Sequence, residues 1–225
     1  MSKLFSNRAE AGKKLAQQLA EYTQHGDAIV LGLTRGGVPV ACEVAKILNI
    51  PMDILMVRKL VIEEKGRLVI GAITSAGHKI LNQEVIQQQH ISDELIETAE
   101  ESSRAVLQIN ERRYRGVTPD PTLDGHTVIL VDDGMNSGST MRVSIASLGT
   151  QNSAKIIVAV PVASRQALDT LSHADKVICL QPMEEMDSIA DAYEEFDPVD
   201  DDEVSDLLAE VKRFQYADFD IPPFV

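Results

Sequence analysis

Asp132 and Asp133 stand side by side where an apolar run, Val128-Ile129-Leu130-Val131, gives way to Gly134-Met135-Asn136-Ser137-Gly138-Ser139-Thr140. Adjacent carboxylates at a desolvated strand end repel one another and are kept where they do something. Their oxygens are acceptors suited to the vicinal hydroxyls of a ribose. The loop after them is small and rich in hydroxyls. Its glycines let successive backbone N–H groups converge, and a helix N-terminus behind them completes an anion cradle. A diol clamp beside a phosphate cradle describes a ribose 5-phosphate, bound without a basic side chain. A generic strand-turn-helix junction is the plain alternative. A P-loop NTPase needs a lysine in G-x-x-x-x-G-K-[ST], and none lies between Gly134 and Thr140. The G-x-G-x-x-G spacing of a dinucleotide site is also missing.

Three stretches have the pattern of positioning elements. Val128–Val131 reads as a central strand of a parallel sheet, with its loop at the carboxyl end, where open α/β sheets bind ligands. Met141, Ile145 and Leu148 then recur at i, i+4 and i+7, so a helix follows, and Ser137 or Ser139 offers an N-cap oxygen. Ala28–Leu33 repeats the design: a buried strand, the turn Thr34-Arg35-Gly36-Gly37, and a helix with Pro39 in its first turn. Met52–Val57 reads as a further strand that emerges into Arg58 and Lys59.

These motifs resemble those of the type I phosphoribosyltransferases. The resemblance is narrowest for a little-characterised bacterial and archaeal group of that family. It is carried by Arg35-Gly36-Gly37-Val38-Pro39-Val40-Ala41, Val57-Arg58-Lys59-Leu60, Ile70-Gly71-Ala72-Ile73 and the Asp-Asp-Gly loop in that order, and runs from about Phe5 to about Leu208. It implies an α/β fold, an open parallel sheet with helices on both faces, plus a small C-terminal hood. It implies transfer of ribose 5-phosphate from Mg-bound phosphoribosyl pyrophosphate (PRPP) to a nitrogenous base, with release of pyrophosphate. By resemblance Asp132 and Asp133 bind the ribose hydroxyls and are the candidates for any protein contact to Mg²⁺. Gly134, Met135, Asn136, Ser137, Gly138, Ser139 and Thr140 hold the 5-phosphate, and Thr34, Arg35, Gly36 and Gly37 the pyrophosphate. Arg58 and Lys59 act on the departing pyrophosphate at the base of a mobile loop, expected over Leu60–Arg67. Asn136 stands where the 6-oxopurine enzymes carry an aspartate base, and an amide cannot take up that proton. The family's group tends to have Pro where this chain has Thr34, and a Gly/Pro-rich turn where it has Val61–Val69. A non-catalytic PRPP or nucleotide sensor working through a protein partner is therefore the alternative.

Length and charge set the frame. A chain of 225 residues is long enough to cover a sheet on both faces. The expected division is a core over residues 1–181, with the lid and an inserted helix over 92–115, and an acidic hood over 182–225 that is not an independent domain. The net charge is −14, yet Glu184 to Glu210 holds thirteen acids and no Lys or Arg, so the remaining 22 acids nearly match the 21 bases. Such a run reads as solvated surface or as part of a hood in which Tyr193 and Phe196 stack on a base. Nucleic acid is an unexpected partner for so acidic a segment. No apolar run reaches the 18 residues of a membrane span. Cys42 and Cys179 both lie in apolar stretches expected to be buried, and suggest neither a metal site nor a disulfide; a cytoplasmic homo-oligomer, a dimer, is the expectation.

Overall fold

The computed structural model describes residues 3–116 and 121–218. Five parallel strands form the main sheet: β1 (Ala28–Leu33), β2 (Met52–Leu55), β6 (Thr127–Val131), β7 (Lys155–Ser164) and β8 (Lys176–Met183). Their order is β2-β1-β6-β7-β8, which puts the Asp-Asp strand at the centre. Alternation along β6 builds two cores. Ile129 and Val131 pack on one face with α1 (Arg8–Gln18), α2 (Gly37–Leu48) and the C-terminal helix, whereas Val128 and Leu130 pack on the other with α5 (Ser139–Gly149) and α6 (Arg165–Asp169). Both faces are thus covered, as an all-parallel sheet requires.

A second, antiparallel sheet of β3 (Val57–Ile62), β4 (Leu68–Thr74) and β5 (Lys79–Leu81) stands beside the first. The chain leaves the main sheet at the buried Met56. The expected single strand Met52–Val57 is therefore two strands in two sheets, and Arg58 and Lys59 lie inside β3 rather than beyond a strand end. The expected lid also shrinks. Leu60 and Ile62 alternate inward, are buried with Ile70 and Ile73, and fix Leu60–Ile62 as strand; only Glu63–Arg67 remains as the hairpin turn. A short helix α3 (Gln83–Gln88) leads to the long α4 (Asp93–Arg115), which Ser92 caps by accepting from the Leu95 amide and which packs against β3.

The acidic segment is not only solvated surface. Its second half is α7 (Asp201–Asp218), which buries Val204, Leu208 and Val211 at i, i+4 and i+7 against α2 and α4 while Asp202, Glu203, Asp206 and Glu210 are exposed. Each such side chain, fully buried, contributes about 1.5–3 kcal/mol. Cys42 is buried and Cys179 half-buried, both as free thiols.

Candidate functional site

β1 and β6 are neighbours in register, Gly32 opposite Val131, so the two loops leaving their carboxyl ends meet. Gly36 and Gly37 make that meeting possible. A Cβ on Gly36 would fall 2.2 Å from Asp133 Oδ2, and one on Gly37 would fall 2.6 Å from the Val131 carbonyl oxygen and 2.8 Å from Asp132 Cα. Neither glycine needs an unusual φ; each is required by the closeness of the second loop. The Thr34–Arg35 peptide between β1 and this turn is cis.

The two carboxylates differ sharply. Asp133 is buried, and Arg8 Nε donates to its Oδ2 at 2.8 Å. Its main chain is fixed too: the Tyr193 hydroxyl donates to its carbonyl at 2.5 Å, and its own N–H donates to Asp132 Oδ1 at 2.9 Å. Arg8 is held in turn, with its guanidinium 3.8 Å from the Phe196 ring centre and Nη1 donating to the Asp197 carbonyl at 2.8 Å. Burial raises the Asp133 pKa above the ordinary carboxylate value, with Arg8 pulling against the rise. Asp132 keeps partial access to solvent along one edge and lines the cavity described next. Its pKa stands well above the usual value, first through desolvation of the carboxyl and then through the charge of Asp133.

That cavity, of about 200 Å³, is walled by Asp132, the loop Gly134–Thr140, Met141, Ile189 and Lys59. The loop is pinned from behind. Met135 N–H donates to the Val162 carbonyl, Ser164 N–H donates to the Met135 carbonyl, each at 2.9 Å, and the Ser164 hydroxyl donates to the Asn136 carbonyl at 2.6 Å. Gly138 turns the chain into α5 with φ +69°, a conformation glycine adopts without cost. It is itself the N-cap, with no side chain capping the helix, so neither Ser137 nor Ser139 takes the expected role. The Ser137 hydroxyl donates to Ser139 Oγ at 3.2 Å and accepts from the Ser139 N–H at 3.5 Å, contacts at the N-terminus of α5 that an anion there could replace. A basic side chain is present after all, because β3 brings Lys59 to the wall opposite the loop.

The other expected residues spread further. Arg58 and Lys59 border a second cavity of about 260 Å³ with Val61, Glu63, Arg67 and the α4 residues Ala99, Ser102 and Ser103. Only Lys59 also borders the cavity of the phosphate loop. Arg35 is half exposed and points toward α7, its Nη1 3.3 Å from Asp201 Oδ1. Asp201 also accepts from the Tyr114 hydroxyl at 2.5 Å and from Arg113 Nη1 at 2.9 Å. Tyr114 lies eleven positions beyond Ser103, or roughly 16 Å along α4 at 1.5 Å per residue, so Arg35 and Arg58 flank the site from different ends. Tyr193 and Phe196 do not present free rings to a base. Tyr193 is buried between Phe5 and Phe196, at ring distances of 5.4 and 5.0 Å, and Phe196 covers Arg8.

Arg8, Tyr114 and Asp201 thus belong to the site's framework without having been singled out by sequence, and Tyr193 belongs to it as a buried support for Asp133 rather than as the expected stacking ring. One signal was there for Arg8. A cation in the first turn of a helix opposes the helix dipole, and Arg8 opens α1.

A doubly covered parallel sheet, with a carboxylate pair and a small hydroxyl-rich loop at the end of its central strand, defines an open-sheet α/β protein with its candidate site at the carboxyl ends of the strands. The family model for the phosphoribosyl transferase domain matches residues 2–195, and the chain belongs to that family. Two Mycobacterium tuberculosis proteins, each named "Putative phosphoribosyl transferase", are 34% identical over 212 residues, covering 94% of this chain and 48% of theirs. The chain spans about half the length of these curated relatives. A crystal structure of a Thermus thermophilus protein superposes with a TM-score of 0.75 at 32% identity, covering 92% of this chain and 98% of that one.

Proposed function

We propose that this chain is a phosphoribosyltransferase that transfers the ribose 5-phosphate of Mg·PRPP to a nitrogenous-base acceptor and releases pyrophosphate. The observation that carries the reading is the cavity in which Asp132, the Gly134–Thr140 loop and Lys59 converge. Amides and hydroxyls of the loop bind the 5-phosphate, and Asp132 accepts from a ribose hydroxyl. Asp133, held by Arg8 and Tyr193, fixes the second acceptor and the backbone that both carboxylates share. The turn Thr34–Gly37 lies against this pair and, apart from the Thr34 N–H that donates to the Leu55 carbonyl, offers its N–H groups to the pyrophosphate end.

Among the described residues no three His, Cys, Asp or Glu side chains gather as a metal cage. Mg²⁺ keeps most of its waters and takes one or two carboxylates beside phosphate oxygens. Asp132 fits that role best, since it lines the cavity and, unlike Asp133, is not held by Arg8. When bound, Mg²⁺ neutralises charge on the pyrophosphate. The chain's own residues supply the rest. They hold both ends of PRPP, place Lys59 beside the departing oxygens, and shield C1 from water beneath Ile189.

Calorimetry tests the reading. Mg·PRPP is expected to bind the wild-type chain, and Asp132→Asn with Asp133→Asn should each cost about 1.5–3 kcal/mol, the scale of a hydrogen bond to a charged group. Unchanged affinity in the double variant refutes the ribose assignment. PRPP consumption with a panel of purine, pyrimidine and pyridine bases then identifies the acceptor.

A further inference from the structure

A larger cavity lies behind the phosphate loop, on the far side of α5. Its volume of about 520 Å³ falls within the range of small-molecule sites. Ile80, Ile145, Ile156 and Leu171 give it an apolar lining, while Arg142 and His173 border it and no carboxylate does. Arg142 Nε is buried without a hydrogen-bond partner, and no acid pairs with the guanidinium among the described residues. An unpaired arginine over an apolar floor calls for a ligand with an anionic group and a flat apolar body. A guanidinium binds carboxylate, phosphate or sulfonate by two parallel N–H donors, and the four apolar side chains beside it suit a hydrocarbon body.

The position gives such a ligand a consequence. The backbone N–H of Arg142 donates to the Gly138 carbonyl at 2.9 Å, the first bond of α5. Thr170, on the cavity wall, stands so close that a Cβ on Gly138 would meet its Oγ1 at 2.8 Å. Thr170 therefore stands between the cavity and the Gly134–Thr140 loop. We infer that this cavity is a second ligand site, for an aromatic anion, and that its occupancy is felt by the phosphate loop. A ligand that ties down Arg142 orders the first turn of α5. A phosphate arriving on the other side then finds that turn already fixed, and the two ligands bind with positive cooperativity.

The probe is 8-anilinonaphthalene-1-sulfonate, titrated into the full chain by fluorescence, with N-phenyl-1-naphthylamine as its uncharged counterpart. The sulfonate is expected to saturate at one site per chain and to bind at least tenfold more tightly than the neutral amine. Arg142→Gln should erase that difference. Ala146→Phe, at an exposed position on the rim, should block both probes while leaving the circular dichroism spectrum unchanged. Saturating Mg·PRPP should lower the sulfonate's Kd at least threefold. Equal affinity for the two probes, or indifference to both substitutions, overturns the site. A sulfonate Kd that does not respond to bound PRPP overturns the coupling alone, and PRPP binding measured by itself shows whether the phosphate site is at fault. Sedimentation that shows a dimer broken by Ala146→Phe makes the cavity an interface between copies and likewise overturns the proposal.

Discussion

A Cβ placed on Gly36 would lie 2.2 Å from Oδ2 of Asp133, the same oxygen that accepts from Arg8. The first loop, the second loop and the N-terminal helix therefore share one crowded point. Gly36→Ala cannot be absorbed by a flexible side chain, because Asp133 is fixed by Arg8 on one side and through its carbonyl by Tyr193 on the other. Overpacking of this kind costs about 1–3 kcal/mol. The expected result is a lower thermal midpoint together with a PRPP Kd raised at least tenfold by calorimetry. An alanine variant that keeps both wild-type values shows that the loops are not in this contact.

Arg8 and Asp133 form a nearly buried ion pair, their side chains 12% and 9% exposed. Removing one member of a buried pair leaves the other charge unpartnered, at a cost of about 3–5 kcal/mol. Arg8→Leu is expected to destabilise on that scale in urea, whereas Arg8→Leu with Asp133→Leu should recover part of the loss, because the orphaned charge is gone. A double variant that is as unstable as the sum of the two single changes removes the coupling.

The sequence shows the strand, the carboxylates and the phosphate loop because they are contiguous: one run of thirteen residues carries the buried strand, its charge and its glycines. It does not show Arg8, 125 positions from Asp133, or Tyr193, 60 positions away, because neither has a local pattern that names its partner. The break at Met56 was hidden for another reason. Met52 to Val57 is uniformly apolar apart from Asp53, and an apolar run carries no mark of the point where it changes sheets. Leu60-Val61-Ile62 is apolar throughout, so the sequence does not mark which side chains turn inward, and charge follows at once. The helix α7 was legible in Val204, Leu208 and Val211, yet thirteen acids drew the reading toward solvent.

Asp132 gives the site a pH dependence. Its folded pKa is raised well above the ordinary value, so relative to the unfolded chain it favours the protonated folded form. That stability is fully present below the unfolded carboxylate pKa and is lost as pH rises through the folded one. On the proposed function Mg·PRPP takes the ionised carboxylate, so its binding is expected to expel the proton. Affinity is expected to increase with pH above the usual carboxylate range and to level off once Asp132 is ionised, with protons released on binding. Calorimetry in buffers of different ionisation enthalpy measures that release, and Asp132→Asn should abolish it. Zero proton exchange in the wild type across the range contradicts the assignment.

Asp201 lies outside the residues matched by the family model, in the first turn of α7, and still reaches Arg35. The contact is partly exposed, 50% for Arg35 and 27% for Asp201, so it is worth at most about 1 kcal/mol. Tyr114 and Arg113 secure Asp201 independently, which leaves Arg35 free to exchange this partner for a phosphate oxygen. Asp201→Asn is expected to change KM for PRPP by no more than about fivefold, the equivalent of that 1 kcal/mol, with kcat unaltered. A loss in kcat of about tenfold or more would assign Asp201 a larger part than holding Arg35.

Arg58 and Lys59 are adjacent in β3, and the structure separates their roles. Lys59 borders the phosphate-loop cavity, whereas Arg58 borders only the neighbouring one. Negative charge grows on the pyrophosphate as it departs, so a cation beside it is worth more in the transition state than in the ground state. Lys59→Ala is expected to lower kcat by about 10²–10³-fold, the scale of losing one electrostatic stabiliser, with a PRPP Kd changed far less. Arg58→Ala should lower kcat by less than about tenfold. Single-turnover assays with the identified acceptor, alongside PRPP calorimetry, measure both. If Lys59→Ala weakens PRPP binding and leaves turnover untouched, or if no acceptor consumes PRPP that binds tightly, the lysine serves binding alone and the chain reads PRPP as a sensor does.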